Sequence, residues 1–151
     1  YEWYALQRCA ASYFKEFDLT KIIVPAIVKS ASYSFDELGF YGNDKTSIIT
    51  VNDKFLLGLL NSKTIDYYLR QIASTKQNGY YEYKPVYLSQ LPIAKASQKI
   101  KTTVEALVSE ILSKRHLDHY ADIGTLETMI DNIVYELYDL DIDEIKLIEQ
   151  N

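Results

Sequence analysis

Hydrophobic periodicity changes character near Ser97, and that change limits the fold more than any other feature of the chain. Before it, apolar residues come in short runs broken by Gly, Asn and Pro. After it, Ile100, Val104, Leu107, Val108, Ile111 and Leu112 recur at three- and four-residue steps, as do Leu126, Met129, Ile130, Ile133, Val134, Leu137 and Tyr138. Steps of that size put the apolar side chains on one face of an α-helix. Two such stripes joined by a turn over 116–124 predict an antiparallel helical hairpin. Asp141 with Glu144 reads as an acidic capping box that opens a short last helix.

The first 96 residues mix both periods. Trp3, Leu6, Ala10, Tyr13, Phe14 and Phe17 predict a short amphipathic helix ending near Asp18. Residues 21–29 (KIIVPAIVK) read as a β-branched strand, which Pro25 confines to an edge or a bulge. Tyr33 and Phe35 alternate with Ser32, Ser34 and Asp36 as a second strand, and Thr46 to Val51 form a third. Gly39 and Gly42-Asn43-Asp44 supply turn chemistry between them. Asn52 is placed as the cap of a helix bearing Phe55, Leu56, Leu59 and Leu60. Asn61-Ser62 break that helix and cap the next, with Ile65, Tyr68, Leu69 and Ile72 on one face. Residues 74–79 form a loop, 80–87 a tyrosine-rich strand, and Leu91-Pro92-Ile93 an extended close. The expectation is an α+β fold: a small mixed or antiparallel sheet with packed helices over 1–96, then a C-terminal antiparallel helical hairpin over 97–151.

Charge follows the same division. The chain carries a net −5, which by itself argues against nucleic acid. Yet residues 1–101 hold 13 Lys+Arg and 9 Asp+Glu, while 102–151 hold 3 and 12. Phosphate responds to the local field rather than to the total, so the mildly basic half remains open to it. The strongly acidic half would then keep such a module from gripping any duplex indiscriminately. The single cysteine, Cys9, excludes an internal disulfide and reads as a core thiol. No apolar run nears the ~20 residues of a membrane span, and no charged-then-apolar leader opens the chain, so a cytoplasmic setting is expected. With Tyr at position 1 and Met129 the sole methionine, the chain is expected to be a piece of something longer or a processed product.

Catalytic patterns are sparse. Asp66 with Glu82-Tyr83-Lys84 is a short match to a metal nuclease, and strand residues facing solvent or ligand are the simpler reading. His116 and His119 with Asp118 lack the further ligands a zinc site needs. Both histidines lie in one turn, so no Ser-His-Asp set can form. With five glycines and isolated prolines there is no phosphate-cradling loop. No catalytic or metal-binding residue is assigned, and no cofactor is expected in this chain.

Duplex recognition needs cations that position on phosphate and amides or cations that read base edges. Three regions supply those types on loops or exposed strands. The first holds Lys29, Ser32 and Tyr33. The second holds Asn43 and Lys45. The third holds Lys76, Gln77, Asn78, Tyr80, Tyr81, Tyr83 and Lys84. Lys63 and Arg70 are placed on the same basic face, with a solvated helix-start lysine as the competing reading of Lys63.

An ordered set of short segments carries a family resemblance. It comprises Trp3 to Gln7, Phe17 before Lys21-Ile22-Ile23, Pro25, Phe35-Asp36 before Gly39-Phe40-Tyr41, and Ser47 to Val51. It continues with Phe55 to Lys63 (FLLGLLNSK), Gly79 before the tyrosines, Leu88, Leu91-Pro92-Ile93, and Met129 to Leu140 with Glu144-Ile145. In this order the chain resembles the TaqI-like C-terminal specificity domain of type IIG restriction–modification enzymes and adenine-specific DNA methyltransferases. The resemblance implies a reader of double-stranded DNA whose upstream methyltransferase domain, in the same polypeptide, uses S-adenosylmethionine and flips an adenine. A nuclease domain, where present, would add magnesium. The glycine-rich cofactor turn and the Asn-Pro-Pro-aromatic motif of methyl transfer are absent from this chain, so catalysis is expected elsewhere. Base-reading residues vary with the target, so none carries over individually. The resemblance assigns LNSK and LPI to framework. The competing reading is a protein-docking module working through the acidic helical hairpin.

Overall fold

The computed structural model describes residues 12–150. Trp3, Leu6, Cys9 and Ala10 lie outside them; of the expected first helix, the described part is a 3-10 turn, Phe14–Asp18. The strand expected over 21–29 divides into β1 (Lys21–Pro25) and β2 (Ile27–Val28). Next come β3 (Ser34–Asp36), β4 (Thr46–Ile49), α1 (Lys54–Asn61) and α2 (Lys63–Ile72). Then follow β5 (Thr75–Lys76), β6 (Tyr80–Glu82) and α3 (Pro85–Leu88). The chain ends with α4 (Gln98–Leu117), α5 (Gly124–Leu137) and α6 (Ile142–Glu149).

The class is α+β, with two three-stranded antiparallel sheets where the sequence reading has one. Their orders are β3-β1-β4 and β2-β6-β5. Pro25 is not on an edge strand: β1 is the central strand of its sheet, and Pro25 is its last residue, opposite Thr46. Pairing with β3 ends at Ile23, so Pro25 has β4 alone beside it, a place where its missing N–H is tolerated, and the chain changes sheets at once. Ala26 gives its N–H to the Lys45 carbonyl at 2.9 Å, and its own carbonyl accepts the Tyr83 N–H at 2.9 Å.

Two further boundaries move. Asp53, not Asn52, caps α1, its carboxylate accepting the Leu56 N–H at 2.8 Å. The tyrosine strand stops at Glu82 instead of 87, because Pro85 opens α3. Proline at a first helical position has φ preset and no N–H to waste, so it ends a ladder and starts a helix. The Ser62 cap of α2 and the Asp141–Glu144 capping box of α6 are present as read.

Apolar stripes from both halves of the chain meet in one core. Ile22 and Val24 of β1, Leu57, Leu59 and Leu60 of α1, and Ile65 and Leu69 of α2 pack with Val104 and Val108 of α4 and Ile130 and Val134 of α5. The helices after Ser97 are therefore built into the fold rather than hung from it. Gly58 lets α4 close on α1: a Cβ there would stand 2.8 Å from Val104 Cγ1 and 3.0 Å from Val108 Cγ2. Both neighbours are β-branched and stiff, so neither can swing aside.

Asn61-Ser62-Lys63 is a junction. The Asn61 amide brackets the Tyr33 backbone, accepting its N–H at 3.0 Å and donating to its carbonyl at 3.1 Å. Lys63 donates its backbone N–H to Asp131 of α5 at 2.9 Å, and its ammonium reaches Glu149 of α6 at 3.5 Å. Burial lifts the Asp131 carboxyl above its ordinary value, against the opposing pull of the Lys63 N–H and ammonium.

Gly58→Ala gains about 1 kcal/mol of helix propensity and meets an overpacking cost of roughly 1–3 kcal/mol. The expected net is a loss, read as a lower midpoint in thermal unfolding. For Asp131, a carboxyl raised on folding holds its proton more tightly in the folded chain. Its contribution to stability therefore falls as pH climbs from the ordinary carboxylate value through the raised one. Asp131→Asn keeps an acceptor for Lys63 and removes that titration, so urea unfolding should lose the corresponding acid-range slope and show no weakening near neutral pH. Asp131→Ala leaves the N–H without this partner and should cost about 1–3 kcal/mol.

Candidate nucleic-acid interface

Ala26 brings the three candidate regions together. Its hydrogen bonds fix Lys45 on one side and Tyr83 on the other, and β2 leads directly from it to Lys29. In the second sheet Ile27 faces Glu82, Val28 and Thr75 face Tyr81, and Lys76 faces Tyr80. Strand alternation then separates two surfaces. Tyr81 turns inward with Val28 to pack on the core. Lys76, Tyr80, Glu82 and Ile27 share the outer surface.

On that outer surface Glu82 is flanked by two lysines. Lys76 Nζ lies 3.0 Å from its Oε1 and Lys84 Nζ 2.8 Å from its Oε2. The hydrogen bonds from Lys84 and then Lys76 outweigh burial and hold the Glu82 carboxyl below the usual range. The same bond pushes the Lys84 ammonium up. At neutral pH the group is therefore one carboxylate between two cations. Lys29 Nζ stands over the Tyr80 ring, 5.2 Å from its centre. Gln77 and Asn78 form the exposed tip between β5 and β6, where Asn78 (φ 63°) and Gly79 (φ 75°) are left-handed. Asn tolerates that region and Gly has no Cβ to strain, which is why this dipeptide can turn the chain so tightly.

The turn before β4 borders this surface. The Asn43 side-chain oxygen accepts the Lys45 N–H at 2.9 Å, so it shapes the turn. The Lys45 ammonium pairs with Asp44 at 3.0 Å with both side chains exposed. Such surface pairs are worth about 0–1 kcal/mol and exchange readily.

A family model for the TaqI-like C-terminal specificity domain matches residues 2–93, well over half the chain. This chain belongs to the TaqI-like C-terminal specificity domain family. No curated protein matches it.

A specificity domain is not itself catalytic, and its acids here are occupied. Asp66 is buried; its carboxylate accepts the Ala31 N–H at 2.8 Å and the Tyr83 hydroxyl, and pairs with Arg70 at 3.2 Å. Glu82 is taken by its two lysines, and among the described residues no group of three or more His, Cys, Asp or Glu is placed to hold a metal. The nuclease pattern thus resolves into structural bonds. His116 and His119 lie at the exposed end of α4.

Five of the sequence candidates lie away from the basic surface. Tyr83 is 0 % and Tyr33 6 % exposed, and their rings stack at 6.0 Å inside the core. Both are corrected from contact residues to core. Tyr83 follows the buried Glu82 into the junction at Ala26 and delivers its hydroxyl to Asp66, so its ring has no route outward. Burial first, and then Asp66, push both phenols well above their ordinary value. Arg70 sits behind the sheet, on Asp66 and 5.9 Å from the centre of the Tyr81 ring. Lys63 faces the acidic helices. Ser32 is exposed but lines a groove of about 840 Å³ between the 30–35 segment and α4–α5, as does Lys63. Tyr81 makes a sixth, half-buried and turned inward with Val28.

Sequence reading weighed a nuclease match at Glu82, preferred a strand residue facing solvent or ligand, and did not foresee its pairing with both lysines. The Glu82–Lys84 spacing is a visible signal, but Lys76 joins them only through strand register. Asp66→Ala is expected to cost roughly 3–5 kcal/mol in chemical unfolding, because it strips the Ala31 N–H, the Tyr83 hydroxyl and Arg70 of one acceptor together.

Proposed function

We propose that this chain recognises duplex DNA sequence as the C-terminal specificity domain of a type IIG restriction–modification enzyme. Family membership points to target recognition in restriction–modification, and one observation carries the reading to DNA contact: Lys29, Lys45, Lys76 and Lys84 gather around the second sheet and the Ala26 junction, with the Gln77–Asn78 tip beside them. Lysines of this kind dock phosphate and set register; the amides at the tip have the donor–acceptor pairs that read adenine in a major groove. An upstream methyltransferase domain in the same polypeptide would use S-adenosylmethionine and modify an adenine flipped from the duplex. Magnesium would enter only with a nuclease domain.

The docking alternative draws on Leu117 and Tyr120, which are 86 % and 87 % exposed beside the acidic half of the chain. Salt separates the two readings. Affinity for a random-sequence duplex should fall with log salt at about −0.9 per phosphate contacted. Lys29→Ala with Lys45→Ala should flatten that slope by up to about 0.9 each. Selection from a random duplex pool should enrich one short sequence, and Gln77→Ala with Asn78→Ala should weaken that preference by about 1–3 kcal/mol per lost bidentate contact while leaving the slope intact. Binding without salt dependence, or none, would remove DNA recognition as the function.

A further inference from the structure

We propose that Glu82 is a specificity-determining residue, a built-in competitor for phosphate that keeps Lys76 and Lys84 from gripping any duplex. The inference deepens the DNA-recognition reading and rests on it. Each oxygen of the Glu82 carboxylate serves a different lysine, Oε1 at 3.0 Å and Oε2 at 2.8 Å. Glu82 itself is sunk in the sheet at 9 % exposure, with its backbone N–H on the Ser74 carbonyl at 2.9 Å. The lysine side chains are 46 % and 53 % exposed. DNA approaching this surface therefore meets the ammonium groups, and the acid lies behind them.

Two consequences follow from that layering. The three groups together present one net positive charge instead of two, which weakens attraction to a polyanion whatever its sequence. A phosphate that takes either lysine must also displace a charge-assisted bond already made. Where the remaining contacts align the duplex so that phosphates fall in front of the two ammonium groups, the bonds are shared and the displacement is avoided. A misaligned duplex has no such arrangement. Glu82 thus lowers sequence-independent binding more than aligned binding. Lys29 and Lys45, whose partners are a tyrosine ring and an exposed aspartate, are outside this restraint.

The test uses the 151-residue chain and a random-sequence duplex titrated with salt. Glu82→Gln keeps an acceptor for one lysine and removes the charge. It is expected to bind about three- to tenfold more tightly at ~0.1 M salt, with a slope steeper by up to about 0.9 for each lysine released. Glu82→Ala removes the charge by a second route and should show the same gain. Adding Lys76→Gln to Glu82→Gln should take back the part of the gain that Lys76 supplies, with the slope falling by up to about 0.9. Salt-dependent binding by the parent, matched in affinity and slope by both Glu82 variants, overturns the role of Glu82 and leaves DNA recognition standing. Absence of salt-dependent binding in the parent and both variants overturns DNA recognition itself.

Discussion

The Asp66 carboxylate ties distant stretches of chain to α2. It accepts the Ala31 N–H, takes the Tyr83 hydroxyl and pairs with Arg70. The Ala31 N–H and the Tyr83 hydroxyl both use this acceptor, and an unpaired polar group in a buried site is costly. Three residues beyond the α1–α2 junction, it works beside Asn61, which brackets the Tyr33 backbone, and Lys63, whose N–H reaches Asp131. The segment from Ala31 to Tyr33 and the end of β6 are thereby held in place relative to the helices. The second sheet depends on such anchoring, because β2 and β5 are two residues each and would not persist alone.

What that anchoring presents is a small, wet, basic surface. Its inner side is apolar, with Tyr81 and Val28 on the core. Its outer side carries lysines whose ammonium groups meet Glu82 or the Tyr80 ring. For the proposed nucleic-acid surface the charge is low, and Glu82 makes it lower. A weak general attraction joined to an amide-bearing tip suits selection among sequences better than tight capture of all of them, because discrimination is a difference of affinities.

Much of the helical structure was legible. The stripes after Ser97, the Ser62 cap and the Asp141–Glu144 box rest on local spacing, and local spacing is what a helix obeys. Strands were less so. Residues 21–29 look like one continuous β-branched run, and nothing in that run announces that Ala26 exchanges one sheet for another. Tyr80 to Tyr87 alternate evenly, yet Pro85 starts a helix. The site followed the same rule. Lys29, Lys76, Gln77, Asn78, Tyr80 and Lys84 were placed on a shared surface by residue type and loop position. Tyr33 and Tyr83 have the same composition signal and went to the core, since a tyrosine ring serves either environment; the Tyr83 hydroxyl meets Asp66 there, whereas Tyr33 is held by ring stacking and its backbone bonds to Asn61.

Sequence by itself settled the family, the α+β class, the Ser62 cap, the Asp141–Glu144 box and the charge division, all of which depend on residues within a few positions of one another or on ordered motifs. Tertiary structure alone decided which tyrosines are buried, that Asp66 is structural, and that Lys76 and Lys84 meet on one carboxylate. Those outcomes depend on which strands pair and in what register, and pairing is fixed by contacts between residues far apart in the chain, where local pattern carries no information.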